Sequence, residues 1–287
     1  MSDSPPPLQA LQDVIDTVHR LRAPGGCAWD RAQTHQSLRP YLIEEAYETL
    51  DVLDQIGSKE DLKREPILQA FREELGDVLM QVLLHSEMAR EEGAFDFVDV
   101  ARTLNEKLIR RHPHVFGEEK ADNEESAFQT WEKQKAKEKL KSGGGVLDGL
   151  PKGLPALQRA ARVLEKVTKV GFQWDDMRGP LSKVEEEVRE FQDEVRDWEK
   201  AEGAEKERIR AKAQAEFGDV LFTLANVAYL MKISPEDALR GTLARFESRF
   251  RHVESRLREQ GKTPDQSTLP EMDVFWDEAK RIEKGSG

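Results

Sequence analysis

One set of acidic residues occurs twice in this chain at a single offset. Glu45 and Glu48, followed by Glu74 and Asp77, are matched 142 residues later by Glu187 and Glu190, followed by Glu216 and Asp219. Glu44 and Glu186 keep the same offset, as do the runs Glu74-Leu-Gly-Asp77-Val-Leu79 and Glu216-Phe-Gly-Asp219-Val-Leu221. One spacing held across two separate boxes points to tandem duplication of a single unit. The fold must therefore be one that a unit of about 140 residues can form twice, within the usual size of a domain.

The boxes also specify a local geometry. Lys183, Glu187 and Glu190 are spaced i, i+4, i+7, and so are Lys212, Glu216 and Asp219. At 3.6 residues per turn each set lies along one face of a helix. If the two helices pack antiparallel, four carboxylates and two ammonium groups converge. Such a group is stable with a multivalent cation among the acids and an anion beside the lysines. A magnesium-dependent phosphate site needs that combination.

The apolar pattern between the boxes has helical period throughout and no strand-like alternation, which predicts an all-α fold of two helical bundles. In the first half, helices are expected from Leu8 to before Pro24, and over about 37–56, 66–92, 98–111 and 124–140. A loop carries Trp29, Asp30, Gln33 and Thr34, and His112-Pro113-His114 stops the fourth helix. Ser142-Gly143-Gly144-Gly145, with Pro151 and Pro155 soon after, is the clearest linker signal. The expected domains are 1–141 and 151–287, joined by 142–150. In the second half, Leu154, Leu157, Ala161, Leu164 and Val167 form one amphipathic stripe. The Val170–Asp175 loop echoes Trp29-Asp30, and helices are expected over about 181–201, 205–232, 235–259 and 271–283.

Charge and cysteine content exclude several functions. A net charge of −12 over 287 residues, with no long basic patch, disfavours nucleic-acid and anionic-membrane partners. The single cysteine, Cys27, allows no internal disulfide, and no run reaches the roughly 18 apolar residues of a spanning helix. The start Met1-Ser-Asp-Ser-Pro-Pro-Pro lacks a basic and apolar leader pattern, so the expected location is cytoplasmic.

A lone Glu-x-x-Glu is usually a solvated helix face. The Gly-Asp pairs at Asp77 and Asp219 shift the balance, because each is followed at once by apolar residues, where an unpaired acid is costly to desolvate. An all-carboxylate set favours a hard ion, Mg²⁺ or Mn²⁺, over zinc. Di-iron bundles use Glu-x-x-His on two helices, and none of the six histidines has Glu three residues before it. The first unit keeps the acids but has Tyr41 and Ala70 where Lys183 and Lys212 stand, so phosphate handling is expected in the second unit. Arg245 and Arg249 are matched by Lys107 and Arg111, and Trp276 and Lys280 by Trp131 and Lys135. These are either salt-bridging faces and core aromatics or, together, a base-stacking and phosphate-binding group. Trp29 and Trp174 are expected as packing anchors. The remaining alternative is a non-enzymatic dimeric helical interaction module with solvated acidic stripes.

Taken with Cys27-x-Trp29-Asp30, Arg110-Arg111-His112-Pro113-His114-Val115-Phe116, Leu154-Pro-Ala-Leu157 and Val170-Gly-Phe-x-Trp174, the paired boxes resemble the two tandem domains of the MazG family of nucleoside triphosphate pyrophosphohydrolases. The resemblance covers nearly the whole chain. It implies an all-α NTP pyrophosphatase fold, a homodimer, and Mg²⁺-dependent cleavage of nucleoside triphosphates to monophosphate and pyrophosphate, with the C-terminal unit active. By the same resemblance, Glu187, Glu190, Glu216 and Asp219 hold the metal, with Glu45, Glu48, Glu74 and Asp77 as the first-unit set. Nucleotide contacts fall on Lys183, Glu187, Lys212, Arg245, Arg249, Trp276 and Lys280, and Arg245 stands where close relatives have lysine. Glu186 or Glu187 is expected to orient or deprotonate the attacking water.

Overall fold

The computed structural model describes residues 7–141 and 144–285. Ser142 and Gly143 of the expected linker, and the start of the chain through Pro6, lie outside the described residues. The described residues are helical, with no strand among them, and the chain divides into two compact units, Met1–Ser142 and Gly143–Gly287.

The first unit contains α1 (Pro7–Arg22), α2 (Ala28–Ala32), α3 (Arg39–Leu53), α4 (Glu65–Glu91), α5 (Phe97–Arg111), α6 (Pro113–Phe116) and α7 (Glu124–Lys141). Pro40 and Pro66 sit in the first turns of α3 and α4, where a missing N–H costs nothing. The start of α5 is held by a capping box between Asp96 and Asp99. Helix α4 packs against α1, α3 and α5, and its buried face supplies Leu83, Leu84 and Met88 to a core shared with Val18 and Leu38.

Two local features differ from expectation. The Trp29-Asp30 segment is one turn of helix, α2, rather than loop, and α6 continues past the His112 stop for a further turn. His112 still terminates α5, donating from Nδ1 to the Leu108 carbonyl at 2.6 Å. Trp29 and Trp174 are half exposed. Trp29 meets the edge of Tyr41, and Trp174 lies against Gly179, where any side chain would collide with the indole.

A buried carboxylate ties α1 to α4. Glu87 accepts from Arg90 Nε at 2.8 Å and Nη2 at 2.7 Å, and lies 2.7 Å from His19 Nδ1. Bonding to Arg90, more than the contact with His19, holds its carboxyl down to about 2, against the burial that works the other way. A carboxyl pKa lowered by folding contributes stability that is fully present above the unfolded value of 4.5 and is lost as pH falls through about 2. Glu87→Gln is therefore expected to flatten the acid limb of the first unit's stability profile between those values. Urea melts across that range check it, and a limb as steep as wild type would contradict it.

The second unit contains α8 (Ala156–Thr168), α9 (Arg178–Lys200), α10 (Gly203–Leu230), α11 (Pro235–Glu259) and α12 (Leu269–Gly285). Ser234 caps α11 by accepting from the Asp237 amide, and Pro235 fills its first position. Helices α9 and α10 form the most extensive pairing of the unit, α8 packs on α10 and α11, and α11 pairs with α12. Val253, Leu257 and Phe275 are the buried centre of the α11–α12 pair, with Met272 and Trp276 against them. Both units leave large apolar side chains partly uncovered, among them Leu75 and Leu79 on α4, Phe217 and Phe222 on α10, and Leu243 and Phe246 on α11.

Candidate active site

Only Ala201 and Glu202 separate α9 from α10, so the two helices run antiparallel and residues equally far from the connection meet. Glu187 stands thirteen residues before Lys200, and Glu216 stands thirteen after Gly203. The box spacing then brings Asp219 onto the same face, one turn further along. One carboxylate oxygen each from Glu187, Glu216 and Asp219 lies within 4.8 Å of the others. Glu187 is the most enclosed of the three, at 6% exposure.

The acids repel one another, and burial adds to the effect. The Glu216 carboxyl is raised first by desolvation and then by the charges of Glu190, Asp219, Glu187 and Glu194. Glu190 thus faces the cluster, although its oxygens are outside the three-carboxylate group. Lys183 offsets part of this charge, with Nζ 2.6 Å from Glu187 and 2.8 Å from Glu186. The bonds to Glu186 and then Glu187 hold the ammonium in its charged form well above its usual range. Lys212 is displaced from the acid centre and meets Glu194 at 3.4 Å.

The first unit repeats the arrangement with a different selection of acids. Glu45, Glu48 and Glu74 gather within 4.8 Å, so the second α3 acid takes the part that Asp219 plays on α10. Asp77 is outside this trio but close enough to raise the carboxyls of Glu45 and Glu74. For both of these, burial is the larger cause.

The remaining expected nucleotide contacts form their own group on α11 and α12. Arg249 grips Glu283, with Nη2 at 2.6 Å and Nε at 3.0 Å, and its guanidinium lies 5.7 Å from the centre of the Trp276 ring. Arg245 donates to Thr242 Oγ1 at 3.0 Å, and Lys280 pairs with Asp277 at 3.1 Å. Trp276 tilts against Phe246 with ring centres 4.9 Å apart. The first unit has the matching group: Arg111 and Lys135 lie over Trp131 at 5.5 and 4.6 Å, and Arg110 and Arg111 share Glu138. The residues expected around one nucleotide are thus placed in two sets, the acids with Lys183 and the α11–α12 group.

Three polar features were missed in the sequence. Gln81, at 2% exposure, lies close enough to Glu45 to favour its charged form. His35 and His85 meet Nδ1 to Nδ1 at 2.8 Å, and Gln173 donates to Asn226 at 2.8 Å. The place of Gln81 on the box face was detectable, since it follows Asp77 by four and Glu74 by seven, but its burial was not. The other two pairs join distant segments and left no spacing signal.

All candidate ligands are carboxylates, converging and mutually repelling, which suits a hard divalent cation. The scaffold is all-α, with such boxes on paired antiparallel helices, an ammonium against the acids, and an arginine–tryptophan pair on other helices. Residues 33–116 match the MazG nucleotide pyrophosphohydrolase domain. The chain is 39% identical to the nucleoside triphosphate pyrophosphohydrolase/pyrophosphatase MazG of Thermotoga maritima, over 94% of this chain and 95% of that protein. It is 36% identical to the nucleoside triphosphate pyrophosphohydrolase of Escherichia coli, over 96% and 99% of the two chains. The uncharacterized protein YabN of Bacillus subtilis is 42% identical over 94% of this chain, which spans 51% of that longer protein. The chain belongs to the MazG nucleotide pyrophosphohydrolase family.

Proposed function

We propose that this protein is a Mg²⁺-dependent nucleoside triphosphate pyrophosphohydrolase of the nucleotide pool, cleaving (d)NTPs to the monophosphate and pyrophosphate chiefly at the second unit. The observation that carries this is the convergence of Glu187, Glu216 and Asp219 within 4.8 Å, with Lys183 Nζ 2.6 Å from the buried Glu187. These three, with Glu190, would hold Mg²⁺, for which Mn²⁺ can substitute. When bound, the cation neutralises phosphate charge and acidifies a water.

The chain's own residues do the rest. Lys183 exchanges its carboxylate partners for a phosphate oxygen, and Lys212 leaves Glu194 for the same purpose. Glu186, half exposed and outside the three-acid group, takes the proton of the attacking water, with Glu187 as the other candidate. The water oxygen bonds to one of the two phosphorus atoms flanking the α–β bridge, and the bridging P–O bond breaks with its electron pair on the leaving group. Arg245 and Arg249 offset the charge that develops on it, while Trp276 and Lys280 hold the nucleoside end. Partly uncovered apolar side chains on α10 and α11 support a homodimer, since a second copy would cover them. We place the protein in the cytoplasm, with nucleoside triphosphates as ligands and no nucleic-acid or membrane partner.

Incubation with mixed NTPs and Mg²⁺, followed by chromatography, tests the activity. Monophosphate plus pyrophosphate is expected. Diphosphate plus inorganic phosphate, or no product at all, overturns it. Lys183→Met is expected to lower kcat/KM on the order of 10²-fold by removing a cation aimed at the phosphates. Steady-state kinetics check this, and a loss under about threefold would remove Lys183 from the site.

A further inference from the structure

Two glutamates of the second unit's acid group have a lysine four residues before them, and the two lysines behave differently. Lys183 rests on Glu187, with Nζ at 2.6 Å. Lys212 has the same spacing from Glu216 along α10, a separation at which opposite charges on one helix meet. Among the described residues it makes no ion pair with Glu216, and its Nζ lies 3.4 Å from Glu194 Oε1 on α9 instead.

Glu194 belongs to the acid face. It follows Glu190 by four residues and Glu187 by seven, so it continues the box stripe one turn further along α9. It is close enough to Glu216 for its charge to add to those that raise that carboxyl. Arg208, one turn before Lys212 on α10, is taken by Glu205 at 2.8 Å, which leaves Glu194 to Lys212. In the first unit the residues 142 positions earlier are Val52, at 7% exposure, and Ala70. Both members of the ion pair are replaced together by apolar residues in the unit that also lacks a counterpart of Lys183. The pair therefore goes with the phosphate-handling lysines rather than with the scaffold that both units share.

An ammonium resting on Glu216 would compete with a cation for one of the three oxygens gathered within 4.8 Å. We propose that Glu194 is a positioning residue for the reaction of the second unit. It draws Lys212 away from Glu216, which keeps that carboxylate open to the cation and holds the ammonium at the edge of the acid cluster, where an incoming phosphate meets it. The side chains of the pair are 21% and 51% exposed, so the contact is weak enough to be given up to that phosphate. This rests on the metal-dependent activity stated above.

Mn²⁺ uptake by the full chain without nucleotide, read from the electron paramagnetic resonance signal of the free ion, tests this. Every sample carries Glu74→Gln, which disables the first unit's acid trio. Glu194→Gln is expected to weaken uptake about fivefold, as Lys212 closes on Glu216. Adding Lys212→Ala to Glu194→Gln is expected to restore it. Lys212→Ala alone is expected to change it by less than about twofold, because Glu194 already holds the ammonium off. Charges that act additively would give Lys212→Ala the same effect in both backgrounds, and a Glu194 that itself ligates the ion would give no restoration. Either result overturns the proposal, as does unchanged uptake in Glu194→Gln or no uptake when Glu194 and Lys212 are both intact. Circular dichroism checks that each variant folds, and Glu194→Ala replaces Glu194→Gln if the latter does not. Pyrophosphate release is assayed on the same samples. Absence of the coupling with release intact defeats this inference alone, and absent release from the unsubstituted chain defeats the enzymatic reading instead.

Discussion

Asp219→Asn is expected to reduce turnover on the order of 10³-fold or more while leaving the helical content intact. The substitution keeps the shape of the side chain and removes its charge. Asp219 contributes one of three oxygens gathered within 4.8 Å, so the cluster loses a full ligand charge. The matching substitution in the first unit, Asp77→Asn, is expected to cost far less. Asp77 lies outside its unit's trio, and that unit lacks counterparts of Lys183 and Lys212. Initial rates of pyrophosphate release for the two variants, with circular dichroism as a control on folding, make the comparison. Equal losses would show that catalysis is not concentrated in the second unit. Chelation by EDTA is expected to stop wild-type turnover, and added Mg²⁺ to restore it.

The largest expected effect on stability is that of Leu257→Ala. Leu257 has 0% exposure and packs in the α11–α12 core with Val253 and Phe275. Truncation removes buried methyl and methylene groups and leaves a cavity that the flanking helices cannot fully close, at a cost of about 2–5 kcal/mol. The same core supports Trp276, which lies beneath the Arg249 guanidinium, so a weakened α11–α12 pair also loosens that group. Since the chain comprises two compact units, its unfolding is not expected to be a single two-state event. The transition belonging to the second unit should move to lower urea, with the other unmoved. A coincident shift of the whole curve would show that the units do not unfold independently.

Much of the scaffold was legible from periodicity, because a helix needs only local information. The apolar stripes, the prolines at helix starts and the glycine-rich connection lie in the chain as written, and the observed helices follow them to within a few residues. The one-turn helices α2 and α6 were missed because five and four residues are too few to display a period. The acid faces were legible for the same reason, and so was the missing positive charge at Tyr41 and Ala70. Burial of a particular polar atom was not. Nothing in the run around Gln81 distinguishes a solvated amide from one at 2% exposure, because burial depends on what a different helix places opposite it.

By itself, the sequence determined the all-α class, the faces on which the acids lie, and the lysine asymmetry between halves, since each follows from residue spacing along the chain. Only the tertiary structure decided which three carboxylates meet in each unit, that Lys183 rests on Glu187 while Lys212 rests on Glu194, and that Arg249 and Trp276 form a separate group. The reason is geometric. Spacing sets the angle of a side chain about its own axis, but partners across a helix pair are chosen by the register and rotation of one helix against another, which the packing of the whole core imposes.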